Sequence, residues 1–505
     1  MAGGLLHHGL EQAAHRFGNR VAIVSGDQTW TFGALEQAAG TFAGHLAARG
    51  VTAGSRVAVM STNRPEFVVA VHAVSKLGAS AALLNSAWKA LEVDHALELT
   101  DPVHAVADGP ALDLLREQLG ISQVTDLDDA ASYRGSGSAS APVTSAGRVG
   151  DDVLLVFSSG TTGLPKAVRH THASIGAAIG HWRDALGLGP DDRFQVATPP
   201  SHILGLLNLV TAISAGATVR LHRRFDLDEV LSRVQRERMT LEMAVAPIAL
   251  AMANHPDLEK YDLSSLRYIM WGATPVTPSV AEVVTSRTGV RWLPAYGASE
   301  IPVLAANPVA EPDAWRLDSA GLPVPGIQLR IVGLGGTEPL PPEGVGEIQA
   351  RSPSVMAGYL PDEANADAFV DGWYRTGDVG WLEPEGWLHI TDRSKEMIKV
   401  KGFQVAPAEL EGVLLGHPAV ADCAVFGVAE ERSGEVPVAA VQLNAGASAT
   451  PEELMKLVSE ALASYKRLQD VVLVESIPRL PSGKVLRRVL REEWEPVLQA
   501  REGAS

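Results

Sequence analysis

The chain has 505 residues, enough for two or three domains of ordinary size, and its 46% apolar and 20% charged content is that of a soluble globular protein. A net charge of −17, from 59 acidic and 42 basic residues, argues against a nucleic-acid surface. It leaves room for a nucleotide, because a few lysines and a metal ion reverse the potential locally. The lone cysteine, Cys423, excludes an intramolecular disulfide and any cysteine-based zinc site.

The first residues, Met1 to Leu10, carry two histidines and no basic segment leading into an apolar core, so no signal peptide is expected. Apolar stretches are broken by Gly, Pro, His or charge well short of a membrane span. A cytoplasmic protein without an integral membrane segment is the expectation.

Residues 29–50 read as a strand end followed by a helix whose Leu35, Ala38, Phe42 and Leu46 share a face, with Gly50 placed as its stop. Strands are predicted at 56–60 and 79–84, with a buried helix from Glu66 to Lys76 between them. This alternation is what an open, mostly parallel sheet requires. Residues 131–150, rich in Ser, Gly and Ala, read as an exposed connection. The apolar run Val153 to Phe157 has the length of a buried strand.

That strand leads into Ser158-Ser159-Gly160-Thr161-Thr162-Gly163-Leu164-Pro165-Lys166. Four hydroxyls and exposed backbone N–H groups donate hydrogen bonds, the glycines admit a close approach, and Lys166 adds positive charge. Together these suit a phosphate chain, although the spacing is not that of a P-loop. Taken alone, the loop reads equally well as a solvated turn.

Beyond it, Ile175, Ile179, Trp182 and Leu186 mark a helix, 194–198 a strand, and 203–213 a strongly apolar helix after Pro199-Pro200-Ser201-His202. Short strands follow at 218–221, 241–245, 267–271 and 291–293. From Ile327 the apolar residues alternate with Gln328 and Arg330, the period of half-buried antiparallel strands, so a barrel-like or small-sheet section is expected before 390. The remainder mixes strands (420–426, 437–443, 471–474) with helices (407–415, 451–464), the pattern of a compact α+β domain.

Six spaced segments carry a resemblance over essentially the full length: SSGTTGLPKAV (158–168), YGASE (296–300), GEIQARSPSVMAGYL (346–360), YRTGDVG (374–380), DRSKEMIKVKGFQVAPAELE (392–411) and PSGK (481–484). In this order they resemble the adenylate-forming superfamily, within it the acyl-CoA synthetases of the 4-coumarate–CoA-ligase-like branch. The implied fold is α/β, with a large N-terminal domain of stacked α/β sheets plus a small β-barrel-like section, and a mobile small α+β C-terminal domain. The implied boundaries are 1–394 and 395–505, with the hinge at Lys395.

The resemblance also implies roles. Ser158, Ser159, Gly160, Thr161, Thr162, Gly163 and Lys166 would wrap the β- and γ-phosphates of ATP. Tyr296 would lie against adenine, with Gly272, Ala273, Thr274 and Gly297 nearby. Ser299 would touch the α-phosphate and Glu300 would hold Mg²⁺. Asp378, with Arg393 beside it, would accept from the ribose hydroxyls, and Lys484 would reach the α-phosphate and the carboxylate. After a rotation of the C-terminal domain, Lys399, Gly402 and Gln404 would face the site instead, for transfer to CoA. Read one at a time, Tyr296 is a core aromatic, Asp378 and Arg393 a surface ion pair, and Lys484 a solvated turn residue.

The acid pocket is expected from His202, Trp271, Gly297, Ala298, Pro302 and Val303, although Trp271 reads equally well as a strand-end aromatic packed in the core. Ile203 to Leu207 offer no carboxylate to pair an ammonium, so an α-amino acid is not expected. The apolar lining points to an aryl, arylpropenoic or aliphatic acid. Departures from the family pattern are Trp271 for a small residue, Ala167 for glycine, Ser299 for threonine and a segment after Glu300 one residue shorter than in plant-type relatives.

The partners implied are a carboxylic acid, ATP and CoA. Other acceptors or substrates leave the adenylation residues unchanged: a carrier protein, an amine, or nitrite activated to diazotise an arylamine. A non-catalytic nucleotide-binding protein is opposed by Glu300, Asp378 and Lys484 occurring together.

Overall fold

The computed structural model describes residues 4–134, 147–158, 165–274, 276–393, 396–400, 403–430, 434–479 and 483–502. Two large sheets form its body. In the first, of seven strands, Val124–Asp126, His104–Ala107, Arg56–Met60, Ser80–Leu84 and Asp152–Ser158 run parallel in that spatial order. Lys166–Thr171 and then Gly358–Leu360 add to it antiparallel.

The second sheet has nine strands, and its parallel centre includes Trp292–Ala298, Tyr268–Trp271, Leu241–Ala244, Arg193–Val196 and Thr218–Leu221. Antiparallel strands finish both edges, among them Ile301–Ala306 beside Trp292–Ala298. The largest apolar core joins the facing sides of both sheets to helices between them. Every residue of the helix Pro65–Lys76 is buried, which is why its sequence reads apolar on all sides. Pro65 opens that helix at a position where no backbone donor is needed. A separate core backs the outer face of the nine-stranded sheet.

The period-2 stretch forms a five-stranded antiparallel sheet that includes Gln328–Val332, Gly346–Arg351, Trp373–Leu382 and Leu388–Arg393. A fourth sheet, of five strands, begins at Ile398–Val400 and is centred on the long hairpin Val420–Glu430 with Gly434–Leu443. Its helices are Pro407–Leu415, Pro451–Ala461 and Arg487–Glu502. Ser394 and Lys395, the expected hinge, lie outside the described residues.

Several elements were not foreseen. His104–Ala107 and Val124–Asp126 are too short, and the first too alanine-rich, to stand out as strands. Pro496 inside Arg487–Glu502 reads as a helix breaker, yet the helix continues through it. The expected helix at 451–464 stops at Ala461 and a short 3₁₀ turn, Ser464–Lys466, follows. Among the described residues no helix is long and apolar enough to cross a membrane.

Candidate active site

The strands Asp152–Ser158 and Lys166–Thr171 are antiparallel neighbours with Ser158 opposite Lys166, so the phosphate-type loop connects the two arms of a hairpin. Ser159 to Gly163 fall outside the described residues. Lys166 places its ammonium over the ring of Tyr359, 5.4 Å from the centroid, a cation–π contact. Tyr359 belongs to the strand that pairs with the returning arm, opposite Val168. Its hydroxyl donates to Glu300 Oε1 at 2.9 Å.

Ser299 and Glu300 form the tight turn between Trp292–Ala298 and Ile301–Ala306, with Ala298 opposite Ile301. Three hydrogen bonds tie this turn, on the nine-stranded sheet, to segments of the seven-stranded one. The first is the Tyr359 bond; in the second, Met356 N–H donates to the Glu300 carbonyl at 2.8 Å. In the third, His170 Nε2 donates to the Ser299 carbonyl at 2.7 Å. Burial pushes the His170 imidazole down to about 4, so it is neutral and its proton is held on that nitrogen by the acceptor. Gly297 precedes the turn; a Cβ there would lie 2.1 Å from the Pro302 carbonyl oxygen, so the hairpin closes only with glycine.

Tyr296 is half-buried and donates its hydroxyl to Asp378 Oδ2. Asp378 is itself buried, stands opposite Arg393 in the third sheet, and donates its backbone N–H to Thr376 Oγ1 at 3.0 Å. The Tyr374 hydroxyl is held well above its ordinary value by burial and then by the nearby Glu300 charge, and it bonds Tyr359. Tyr296 with Asp378, and Glu300 with Tyr359 and Tyr374, are thus two hydrogen-bonded sets, near enough that Tyr296 also acts electrostatically on the Tyr374 hydroxyl.

On the strand end after Tyr268–Trp271, Ala273 takes a left-handed φ of 63°. Thr274 Oγ1 accepts from Ala246 N–H at 2.8 Å and from Trp271 Nε1 at 3.2 Å, so this hydroxyl joins two loops. Ala246 opens the helix Ala246–Ala253, and against its start sits the turn carrying Lys484. Gly483, at a left-handed φ of 85°, is so close that a Cβ would lie 3.0 Å from Pro247 Cδ and 3.3 Å from Val245. Lys484 Nζ is 3.5 Å from Glu396 Oε1.

His202 caps the helix Ile203–Ala215, its Nδ1 accepting from Leu204 N–H at 3.3 Å. Burial pushes its imidazole down to about 4, so with Nδ1 accepting, Nε2 carries the proton. The pocket residues expected from sequence divide. His202, Gly297 and Ala298 are partly open, whereas Trp271, Pro302 and Val303 are buried. Of the two readings of Trp271, the structure shows the core one: its indole is fully buried against Trp292, ring centroids 5.0 Å apart, behind the nine-stranded sheet. Val303 likewise belongs to the main core.

Lys399 and Gln404 are cross-strand partners on the hairpin that opens the fourth sheet, Lys399 exposed and its backbone N–H bonded to Glu435. Gly402, between them, lies outside the described residues. Tyr359, Tyr374, His170 and Glu396 were not singled out from sequence. Tyr359, Tyr374 and Glu396 stand inside the quoted motifs, which was the available signal.

An AMP-binding enzyme profile matches residues 10–360, and an AMP-binding enzyme C-terminal domain profile matches 409–484. A 4-coumarate–CoA ligase of Vanilla planifolia is 32% identical over 513 aligned positions, covering 96% of this chain and 93% of its own. An anthranilate CoA ligase solved with anthranoyl-AMP superposes with a TM-score of 0.91 at 25% identity, over 99% of both chains. The amide bond synthetase McbA from Marinactinospora thermotolerans gives 0.88 at 29% identity, over 97% of this chain and 99% of its own. The chain belongs to the AMP-binding enzyme family, in the acyl-CoA-synthetase branch that contains the 4-coumarate–CoA ligases.

Proposed function

From that membership we propose that the protein is an acid–CoA ligase, which activates a carboxylic acid with ATP as an acyl-adenylate and passes the acyl group to CoA. The observation that supports the reading is that Lys166, Tyr359 and Glu300 touch in sequence and Tyr296 bonds Asp378, with the Lys484 turn seated at Val245 and Pro247.

In the first half-reaction a carboxylate oxygen bonds to the α-phosphorus of ATP and the bond to pyrophosphate breaks. Both reactants are anionic, so the site has to bring cations and hold the pair in line. Lys166 would meet the outgoing phosphates and Lys484 the α-phosphate and the attacking carboxylate. Tyr296 would pack on adenine, and Asp378 would accept from the ribose hydroxyls. Glu300 fits a Mg²⁺ ligand: it offers carboxylate oxygens, the donors a hard cation takes, and Tyr359 already orients it. When bound, that ion supplies charge neutralisation at the phosphates.

In the second half-reaction the CoA thiol attacks the acyl carbon and AMP leaves with the anhydride oxygen. We assign the large domain to 1–394 and the lid to 395–505, with rotation at Lys395 exchanging Lys484 for Lys399, Gly402 and Gln404. The contact of Gly483 with Pro247 is what the adenylating arrangement requires. With Trp271 withdrawn into the core, His202, Gly297 and Ala298 are left to face the acid, and an aryl, arylpropenoic or aliphatic acid fits so apolar a wall.

The likeness to an amide bond synthetase supports a second reading, in which an amine takes the place of CoA. A panel of carboxylic acids assayed for AMP release with and without CoA, and with amines in its place, separates the two. CoA-dependent AMP release with acyl-CoA formation is expected; AMP release that never responds to CoA would sink the ligase reading.

A further inference from the structure

We infer that Glu396 is a positioning residue for Lys484, fixing its ammonium for adenylate formation; this rests on the role proposed above for Lys484. A lysine head on a four-carbon stem is mobile, so its aim must come from elsewhere. The Glu396 carboxylate lies between two cations, with Oε1 3.5 Å from Lys484 Nζ and Oε2 accepting from Arg487 Nη1 at 2.5 Å.

Glu396 is itself held. The Arg487 and Glu396 side chains are each only 16% exposed. Arg487 Nη2 donates to Glu411 Oε1 at 2.6 Å, and its Nε donates to the Val425 carbonyl at 2.8 Å. Glu411 Oε1 in turn accepts from Val425 N–H at 2.8 Å. A chain of charge-assisted bonds thus runs from the strand Val420–Glu430, at an edge of the fourth sheet, to the lysine head. The lysine's main chain is anchored separately, by Arg479 Nη1 donating to the Gly483 carbonyl at 2.8 Å while Arg479 pairs with Asp422. One arginine fixes the backbone of the turn and the other, through Glu396, fixes the ammonium.

Glu396 directly follows the expected hinge residue Lys395 and precedes the strand Ile398–Val400. It therefore lies on the lid side, and a rigid rotation at Lys395 carries Glu396 and Lys484 together. The pair is made within the lid, so Lys484 arrives already aimed when Gly483 docks.

The test measures both half-reactions in Glu396→Gln and Glu396→Asp in the full-length protein. The glutamine keeps an acceptor for Arg487 but loses the charge facing Lys484. Acid-dependent ATP–pyrophosphate exchange is expected to fall in kcat by about 10²-fold, the cost of a misplaced reacting group, with KM for ATP little changed. Thioester formation from preformed acyl-adenylate should persist, and Glu396→Asp should restore part of the exchange rate. Wild-type exchange in Glu396→Gln would overturn the inference, as would parallel loss of both half-reactions together with thermal stability. Lys484→Ala is measured alongside: if it exchanges normally, the reading of Lys484 falls and takes this inference with it. If it is inactive while Glu396→Gln is normal, this inference alone falls.

Discussion

On the large-domain side, Tyr296 is bonded to Asp378 and Glu300 to Tyr359, and the Ser299–Glu300 turn is fastened by His170 and Met356 from the neighbouring sheet's segments. Lys484 follows the fourth sheet in the chain, pairs with Glu396 within its own lobe, and is preceded by Gly483, which packs on Val245 and Pro247 of the large domain. On the function proposed above, the first half is held by contacts within the large domain, and the second would be assembled on a separate piece and delivered. A reaction with two chemically different steps is served by that division, because the delivered part can be withdrawn without dismantling the part that holds the nucleotide.

The comparison breaks most sharply at Lys484. Lys484→Ala is expected to lower adenylate formation by about 10³-fold, the scale of losing a preorganised charge at the transition state. Thioester formation from preformed acyl-adenylate should stay near the wild-type rate. Equal loss in both steps would mean that the lysine is not confined to the delivered half.

Tyr359→Phe strikes the fixed half. Without the hydroxyl, Glu300 Oε1 loses its donor, and the Mg²⁺ concentration for half-maximal ATP binding should rise about tenfold, the worth of a hydrogen bond to a charged group. Calorimetric titration of ATP at several Mg²⁺ concentrations reads this directly. Tyr296→Phe should raise KM for ATP several-fold, by about the same kind of bond, and leave kcat nearly intact. A fall in kcat instead would place Tyr296 among the groups that act on the transition state.

The smallest effect concerns the scaffold under both halves. Glu242 lies on Leu241–Ala244, the strand that leads to Val245 and Pro247, is buried and accepts from Gln195 Nε2 at 2.6 Å. Burial pushes its carboxyl from 4.5 up to about 8. Between those values the unfolded chain has ionised while the fold still holds the proton, so the unfolded state binds fewer protons and stability falls as pH rises. Glu242→Gln removes that slope: its melting temperature should gain on the wild type from pH 5 to pH 8. A wild-type curve parallel to the variant's across that range would show that Glu242 ionises without cost.

What the sequence made legible follows from where each determinant lies. Glu300, Asp378 and Lys484 stand in short contiguous motifs, so they can be read along the chain. Tyr359 also stands in one, but its importance comes from a bond to a residue 59 positions away, set by strand pairing that no local pattern states. Trp271 stayed open between pocket wall and core for a different reason. Side chains alternate across a strand, and Tyr268 and Met270 face the layer between the sheets while Ile269 and Trp271 face the outer helices. Period alone sorts the four into two faces; only the packed sheet tells which face is inner. The alternation from Ile327 led correctly to antiparallel strands because one period-2 signal there governs a whole small sheet.

The stitching of Ser299 and Glu300 to the opposite sheet has a mechanical corollary. If the proposed nucleotide site is right, its width depends on how far apart two stacked layers are held, and the spacer is the wholly interior helix Pro65–Lys76 with its neighbours. Thinning that spacer, for example by Phe67→Ala, should be felt at the proposed phosphate end as slackened grip on ATP.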